Sequence, residues 1–323
     1  MGLEKSNIIN KNSCKSTVAI WFSTYSYIES REWDLIKKYG NPYHPSLGYY
    51  KSNNKKILET QLKWIRRAGI DLLIYDCFAG YKKTPKDIGD DQALKLLMSF
   101  LKEQKNEAQE LRFCIDLETY VDFHTYEELS IAISYLKENI IEHPYYFKYK
   151  NNKPLIIIYV NDDIAEIIQN LRIKFPEFEI QPLAGAELFP NYWQYIEKYP
   201  QTLRKDWMTV CPGVDSSLED LYERDMYIKT KNELFGRFVK DPNLSTEFMR
   251  KNPAYKIDRK DDGSSYKEQL LRAINNNPDI IFISGWNDWQ FGNQIEPAKE
   301  YGFKYVDMTA DLLGRSDEVK LYR

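Results

Sequence analysis

Residues 70–76 read IDLLIYD, an apolar run that ends in an aspartate, and an amphipathic segment, KKILETQLKWIRRAG (55–69), directly precedes it. A comparable pair follows, in which DQALKLLMSFLKEQK (91–105) comes before LRFCIDL (111–117). Helical patterns that alternate with short apolar runs are typical of βαβ units, whose strands lie parallel. The runs are continuously apolar, which is expected of parallel strands that helices cover on their outer face.

The same alternation continues on both sides of this region. The further strand-like runs are STVAIWFS (16–23), PLIIIYV (154–160), EIQPLA (179–184), WMTVCP (207–212) and DIIFISGW (279–286), and the further helical patterns lie at 125–141, 162–175 and 265–277. These runs bring the number of predicted strands to seven, and we expect the eighth in the polar, irregular segment between residues 213 and 264. The pattern predicts an α/β fold, a (β/α)8 TIM barrel with extended βα loops.

The chain has 323 residues, a length that such barrels commonly reach around one core. We therefore expect a single domain at 16–323, after a flexible segment at 1–15. The chain carries 45 Lys and Arg against 48 Asp and Glu, a net charge of −3 with both signs interspersed, and no nucleic-acid partner is expected.

The sequence also bears on location and cofactors. It contains no apolar stretch long enough to cross a membrane, and its polar opening lacks the apolar region of a secretory signal. We expect a cytoplasmic protein, or an exported one whose signal has been removed. The 4 cysteines form no C-x-x-C pair, the 3 histidines show no ligand spacing, and no glycine-rich phosphate loop follows a strand. No metal or organic cofactor is therefore expected.

Function in a barrel of this kind concentrates at the carboxyl ends of the strands, where the βα loops converge on one mouth. The residues predicted there are Trp21, Tyr25, Asp76, Asp116, Glu118, Tyr120, Tyr159, Glu187, Asp215, Trp286, Asn287, Asp288 and Trp289. Any one of these acids could serve as a helix cap or in an ion pair, but so many costly carboxylates at one end favour a functional set. Carboxylates framed by Trp and Tyr are typical of glycoside hydrolysis, in which one group protonates the leaving oxygen and another acts as base or nucleophile.

The segment ISGWNDWQFGNQIEP (283–297), followed by EYGFKYVD (300–307), resembles the terminal strand motif of glycoside hydrolase family 99, the endo-α-mannosidases, and of its bacterial polysaccharide-locus relatives. Further pieces that resemble the family in the same order are HPSLGYYKSNN (44–54), RRAGIDLLIYD (66–76), FCIDLETY (113–120), NNKPLIIIYV (151–160), VCPGVDSS (210–217) and IDRKDDGSSYKEQLLRAI (257–274). The resemblance covers about residues 18–307. It implies a glycan substrate, with Glu118, Tyr120, Asp215, Arg259 and Tyr266 at the pocket.

The family's last motif normally reads Asn-Glu-Trp-x-Glu-Gly. The resemblance implies that the first carboxylate acts on the sugar's own 2-hydroxyl group and that the second is the general acid/base. This chain has Asp288 in the first place and Phe291 in the second. An Asp in the first place also occurs in the α-1,3-glucanase-like family 71, whose motif is similar. Phe291 cannot transfer a proton, so this chain departs from the family at the second carboxylate.

Three interpretations stay open. In the first, the protein is a glycosidase acting on an α-mannoside or related glycan, and the acid/base comes from Glu118, Glu187 or Asp76, in that order of preference. In the second, the site has lost catalysis and binds an oligosaccharide or polysaccharide, with Phe291 as a stacking surface. The third is glycosyl transfer in polysaccharide assembly, for which the sequence shows no nucleotide-phosphate cradle. The oligomeric state is left open.

Two predictions concern the surroundings of Asp288. Glu296 is expected to orient the loop through Arg259 and not to take part in the chemistry. Trp286 and Trp289 either flank the pocket on one face or fill the top of the barrel.

Overall fold

Eight parallel strands of one sheet form the frame of the molecule, in the order β6-β5-β4-β3-β2-β1-β8-β7. They are β1 Thr17–Phe22, β2 Leu72–Cys77, β3 Arg112–Glu118, β4 Lys153–Val160, β5 Glu179–Ala184, β6 Trp193–Gln194, β7 Trp207–Val210 and β8 Ile280–Ile283. The computed structural model describes residues 14–25, 33, 36–37, 42–77, 92–104, 109–118, 125–160, 163–185, 191–215, 256–260 and 262–322. The predicted (β/α)8 barrel is confirmed.

No backbone hydrogen-bond ladder joins β6 and β7 in the described sheet. Side-chain contacts connect these two strands instead. Trp193 of β6 and Trp207 of β7 stack with ring centres 4.2 Å apart. The Trp207 indole donates to the carbonyl oxygen of Gln194 at 3.2 Å, and the Thr209 hydroxyl donates to the same oxygen. Aromatic stacking and polar side chains thus replace main-chain pairing at this seam.

The position expected for the eighth strand was wrong. The missing strand is β6, at Trp193–Gln194, and not in the segment between residues 213 and 264. Two short strands do occur there, at Val214–Asp215 and Lys256–Ile257, but they pair antiparallel with each other outside the barrel sheet. A two-residue strand has no periodicity, so its sequence carries no alternation or apolar run to recognise.

Helices cover the outside of the barrel. They are α1 Lys55–Arg67, α2 Gln92–Glu103, α3 Tyr126–Asn139, α4 Ala165–Lys174, α5 Ser264–Asn276 and α6 Lys304–Leu312. The start of α1 is capped by Asn54, whose side chain accepts from the backbone of Lys56 and Ile57, and α3 begins with a Thr125 and Glu128 capping box. Among the described residues, no helix is long and apolar enough to cross a membrane.

Candidate active site

The chain after β8 folds back over the carboxyl end of the barrel as a small hairpin. Asn287–Asp288 pairs antiparallel with Asn293–Gln294, so that Asp288 lies opposite Asn293. A Cβ atom at Gly285 would lie 1.8 Å from the carbonyl oxygen of Asn293, so only glycine allows the two arms to come this close. Gly292 turns the chain between the arms with φ of 66°. The glycines of the segment therefore fix where Asp288 points.

The carboxyl group of Asp288 is buried and is held on one oxygen only. The Tyr195 hydroxyl donates to Oδ2 at 2.9 Å, and Nδ2 of Asn293 lies 3.4 Å from the same oxygen. Oδ1 accepts no hydrogen bond from any residue in the described part of the chain. Burial raises the pKa of Asp288 to about 7, although both hydrogen bonds oppose the rise. A carboxyl group with this pKa can take up or release a proton near neutral pH.

Tyr195 joins Asp288 to the aromatic residues of the barrel mouth, and it is not among the site residues predicted from the sequence. Its ring packs edge-on against Trp21 and Tyr159, with ring centres 5.3 Å and 5.6 Å apart. Burial and then the charge of Asp288 raise the pKa of Tyr195 well above its usual range, so its hydroxyl stays protonated and donates. Tyr195 directly follows β6. Because the sequence did not predict a strand there, it did not predict Tyr195 at the mouth either. The aromatic run YWQY at 192–195 was the available signal.

A second carboxyl group reaches the same cluster through Trp21. The Trp21 indole nitrogen donates to Oδ2 of Asp116 at 3.3 Å, while its ring contacts Tyr195. Asp116 is 0% exposed, and burial raises its pKa to about 7. Side-chain contacts therefore run from Asp116 through Trp21 and Tyr195 to Asp288, which brings together three residues predicted from the sequence.

Asp76 and Asn287 join the cluster through Ser23. The Ser23 hydroxyl lies 3.4 Å from Oδ2 of Asp76, and the Asn287 side chain bonds both main-chain groups of Ser23, at 2.9 Å and 3.0 Å. Asp76 lies beside Asp116 in the register of β2 and β3. Because Asn287 precedes Asp288 in the hairpin, its double bond to Ser23 anchors the hairpin to the end of β1.

Glu296 is also buried but is fully engaged by donors. Oε2 accepts from the Tyr50 hydroxyl and the Trp289 indole, both at 2.7 Å, and Oε1 accepts from Nε2 of Gln61 at 3.0 Å. Burial raises the pKa of Glu296 to about 7. Tyr50 in turn accepts from Nδ2 of Asn287 at 3.1 Å. Glu296 thus contacts the hairpin through Tyr50 and Trp289, and not through Arg259 as expected.

Arg259 holds the other arm of the hairpin. Its terminal NH2 group donates to the carbonyl oxygens of Gly292 and Gln294, the residues on either side of Asn293. Three tyrosine rings surround the guanidinium at 4.7–5.3 Å, namely those of Tyr43, Tyr301 and Tyr305. Since Asn293 bonds Asp288, Arg259 fixes the position of one of the two donors that reach this carboxyl group.

Both tryptophans of the segment are fully buried. Trp286 belongs to the barrel core, and its backbone N–H donates to the carbonyl oxygen of Trp21 at 2.8 Å. Trp289 packs in a separate cluster with Tyr25 and Tyr50. The Tyr25 hydroxyl donates to the carbonyl oxygen of Asn287 and accepts from the backbone N–H of Trp289 at 3.1 Å. The hairpin is therefore held in place by buried contacts of Tyr25, Trp286 and Trp289.

Comparisons with known proteins identify relatives of this chain. The glycoprotein endo-α-1,2-mannosidase of Mus musculus is 23% identical over 292 residues, and that of Rattus norvegicus is 22% identical over 290. The chain is similar to the family 99 endo-α-mannosidases. The aligned region takes in 80% of this chain but only 57% of either mannosidase, so the chain spans little more than half of their length. No family model matches the sequence.

Solved structures show the same fold. The family 99 endo-α-mannosidase of Bacteroides thetaiotaomicron, in complex with Bis-Tris-propane, superimposes with a TM-score of 0.60 at 17% identity, covering 95% of this chain and 98% of that one. A glycoside hydrolase-like protein superimposes with a TM-score of 0.54 at 13% identity, covering 94% of each chain. These likenesses establish the shared barrel, and the resemblance to family 99 predicted from the sequence is confirmed.

The other residues predicted at the mouth from the sequence occupy different places. Glu118 ends β3 opposite Tyr159 and is 8% exposed, so it is nearer to the mouth surface than Asp116. Asp215 lies in the short strand that pairs with Lys256–Ile257. Tyr266 lies in α5, where it is buried and bonds Thr309 of α6 at 2.8 Å, away from the carboxylate cluster. Tyr120 and Glu187 lie outside the described residues.

Phe291, which the resemblance aligns with the family's second carboxylate, ends the short 3-10 turn Trp289–Phe291 and is partly exposed. No group of His, Cys, Asp and Glu in the described residues could hold a metal ion. Cys77, Cys114 and Cys211 are buried free thiols, and Cys14 is partly exposed.

Proposed function

We propose that this protein is a glycoside hydrolase that acts on an α-mannoside or a related glycan. Asp288 is the residue that supports the proposal most directly. Its Oδ2 is fixed by Tyr195, its Oδ1 bonds no described residue, and its pKa of about 7 suits proton transfer at neutral pH. In this role Asp288 accepts a proton from a sugar hydroxyl, as the resemblance to family 99 implies for the first carboxylate.

The leaving oxygen requires a proton from a second group, because Phe291 cannot supply one. Glu118 is the preferred candidate, since it ends β3 at the mouth, whereas Asp116 is completely enclosed and bonded to Trp21. Asp116 is better suited to hold Trp21 in place beside Tyr195. Glu187 and Asp76 remain the other candidates, as proposed from the sequence.

Product analysis tests this function. The protein is incubated with α-mannans, α-glucans and bacterial capsular polysaccharides, and released oligosaccharides are separated by chromatography. We expect cleavage of at least one α-linked glycan, lost in Asp288→Asn. Glu118→Gln is expected to lose cleavage of natural glycosides but to recover it with nitrophenyl glycosides, whose acidic phenols leave as the anion without protonation. Absence of recovery would exclude Glu118 as the acid.

The second candidate function is glycan binding without catalysis, which Phe291 specifically favours. A partly exposed aromatic ring at the mouth can stack on the C–H face of a sugar where a carboxylate would otherwise stand. Measurable binding of a glycan by calorimetry, with no cleavage of any tested substrate, would support this function and contradict hydrolysis.

A further inference from the structure

A cavity of about 450 Å³ opens at the amino-terminal end of the barrel. It is lined by Thr17 and Arg112, the first residues of β1 and β3, whereas Glu118 ends β3 at the mouth. At a rise of about 3.3 Å per residue, the length of β3 separates the two ends by roughly 20 Å. The cavity is therefore distinct from the site around Asp288.

The residues that line this cavity carry more positive than negative charge, although the carboxylates of Asp206 and Glu179 also act on Tyr149 from outside the lining. Its cations are Lys15, Arg112, Lys148 and Lys150, and its one carboxylate is Asp279. None of the four cations forms an ion pair with another residue in the described ranges. Asp279 is instead engaged by the Tyr149 hydroxyl at 2.8 Å. Unpaired cations that converge on one concave surface create a positive potential, although the whole chain has a net charge of −3.

Aromatic rings hold two of the cations in place. The guanidinium of Arg112 lies 5.0 Å from the ring centre of Phe147, and Nζ of Lys150 lies 5.1 Å from that of Tyr149. The two rings stack on each other, and the Tyr149 hydroxyl bonds Asp279. Cation–π contacts and this hydrogen bond reduce the freedom of the charged groups, so less entropy is lost when they bind an anion.

We propose that this cavity, the basic groove, binds an oligosaccharide that carries carboxylate or phosphate groups. Its volume lies in the range of small-ligand sites, which are about 300–1,000 Å³. Four cations are fewer than the six to ten or so phosphate contacts typical of proteins that bind duplex DNA. The choice of a saccharide among anions rests on the proposed function. A polymer held at the basic groove would stay near the protein while the mouth acts on another part of it.

Calorimetry of the full chain tests the proposal, carried out on the Asp288→Asn variant so that no ligand is cleaved. The probes are hexagalacturonate, phosphorylated mannohexaose and neutral mannohexaose. We expect at least one acidic probe to bind more tightly than the neutral one, and its affinity to fall as ionic strength rises. The joint change Lys148→Gln and Lys150→Gln is expected to weaken that binding roughly tenfold. The matched control is Lys63→Gln with Lys267→Gln, two exposed lysines on α1 and α5.

Three outcomes would overturn the proposal. They are binding of the acidic probes that does not weaken as ionic strength rises, unchanged affinity for them in the Lys148 and Lys150 variant whose melting temperature is normal, and equally tight binding of a hexanucleotide. The comparison of the two acidic probes assigns the recognised group to a carboxylate or a phosphate. Loss of the proposed function is a separate result, since it would appear as absence of glycan cleavage by the unmodified protein while the groove still binds.

Discussion

Asp288 and Glu296 lie at the two ends of one hairpin, both are buried, and burial raises the pKa of each to about 7. Their partners differ. Both oxygens of Glu296 accept hydrogen bonds from described side chains, whereas Oδ1 of Asp288 accepts none. A shifted pKa therefore does not separate a structural carboxyl group from a functional one in this molecule. Between these two groups the unused acceptor oxygen does, because a ligand hydroxyl can occupy it only where the protein has left it open. Oδ1 of Asp116 also lacks a partner among the described residues, but Asp116 is fully enclosed and is not open to a ligand.

The difference also has an energetic side. A buried polar atom without a partner costs folding free energy, whereas a satisfied one contributes modestly. Glu296 ties Tyr50, Gln61 and Trp289 to the hairpin and so strengthens the fold. Asp288 forms side-chain hydrogen bonds only with Tyr195 and Asn293 among the described residues, and we propose that its position serves chemistry at the mouth. Activity and stability should therefore respond differently to substitution of the two carboxyl groups.

The largest expected effect is the loss of turnover in Asp288→Asn. The substitution keeps the size of the side chain but removes its ability to accept a proton, so kcat should fall by roughly a thousandfold on the substrate found by product analysis. At about pH 4, where the carboxyl group is protonated in the folded state, the free energy of unfolding should change by no more than about 1 kcal/mol, because only two hydrogen bonds to one oxygen are affected. Turnover within a few fold of the unmodified protein would remove Asp288 from the mechanism.

Glu296→Gln should show the opposite pattern. The new amide group presents a donor to the Trp289 indole or to Gln61, which leaves a buried donor unpaired and lowers the free energy of unfolding by about 2 kcal/mol. Urea denaturation followed by tryptophan fluorescence measures the loss. Activity below the unfolding transition should be reduced far less than in Asp288→Asn. If Glu296→Gln were inactive but fully stable, the distinction between the two carboxyl groups would fail.

The pH dependence of stability tests the buried charges together. Asp116, Asp288 and Glu296 have pKa values raised to about 7 by burial, from ordinary values near 4. Between these limits the folded state binds more protons than the unfolded state, so stability falls as pH rises from about 4 to 7. Each group should contribute on the order of 1 kcal/mol or more to this fall. In Asp116→Asn, the midpoint of urea denaturation should depend less on pH between about 4 and 7. A pH dependence equal to that of the unmodified protein would contradict a raised pKa of the buried Asp116 carboxyl group.

The barrel could be predicted because its long strands are continuous apolar runs between amphipathic helices, as in IDLLIYD and PLIIIYV. The strand Trp193–Gln194 could not be predicted, because two residues are too few to show a periodic pattern. Its contact with the next strand depends on tryptophan stacking, which also leaves no pattern in the sequence. For the same reason the sequence did not predict Tyr195, whose hydroxyl forms the shorter of the two hydrogen bonds to Asp288.

The site was partly predictable for a related reason. Positions at strand ends follow from the strands, which is why Trp21, Asp76 and Asp116 lie near the strand ends where the sequence predicts them. Hydrogen-bond partners depend on how separate loops meet, and sequence spacing does not encode that distance. Glu296 was therefore placed correctly near the hairpin but assigned the wrong partner, Arg259 in place of Tyr50 and Trp289.

A smaller effect is expected for Tyr195→Phe. The Tyr195 hydroxyl lowers the pKa of Asp288, so its removal should raise that pKa further above 7 and shift the acidic limb of the kcat profile to higher pH. At neutral pH kcat should fall about tenfold and recover as the pH is raised. Tyr50→Phe is the matched control, because it removes the corresponding hydroxyl from Glu296 and should lower stability without moving the profile. An unshifted profile in Tyr195→Phe would show that the hydroxyl does not tune Asp288.

The smallest expected effect belongs to Phe291→Glu, which restores the carboxylate spacing of family 99. Phe291 is partly exposed at the end of a 3-10 turn, so stability should change by less than about 0.5 kcal/mol. If another residue already serves as the acid, the added negative charge raises the pKa of Asp288 and lowers kcat about threefold at neutral pH, while the uncharged control Phe291→Gln does not. If catalysis has been lost, the same change gives weak hydrolysis where the unmodified protein shows none. Kinetics of the two variants beside the unmodified protein therefore decide whether the second carboxylate has been replaced or lost, because the charge acts in opposite directions in the two cases.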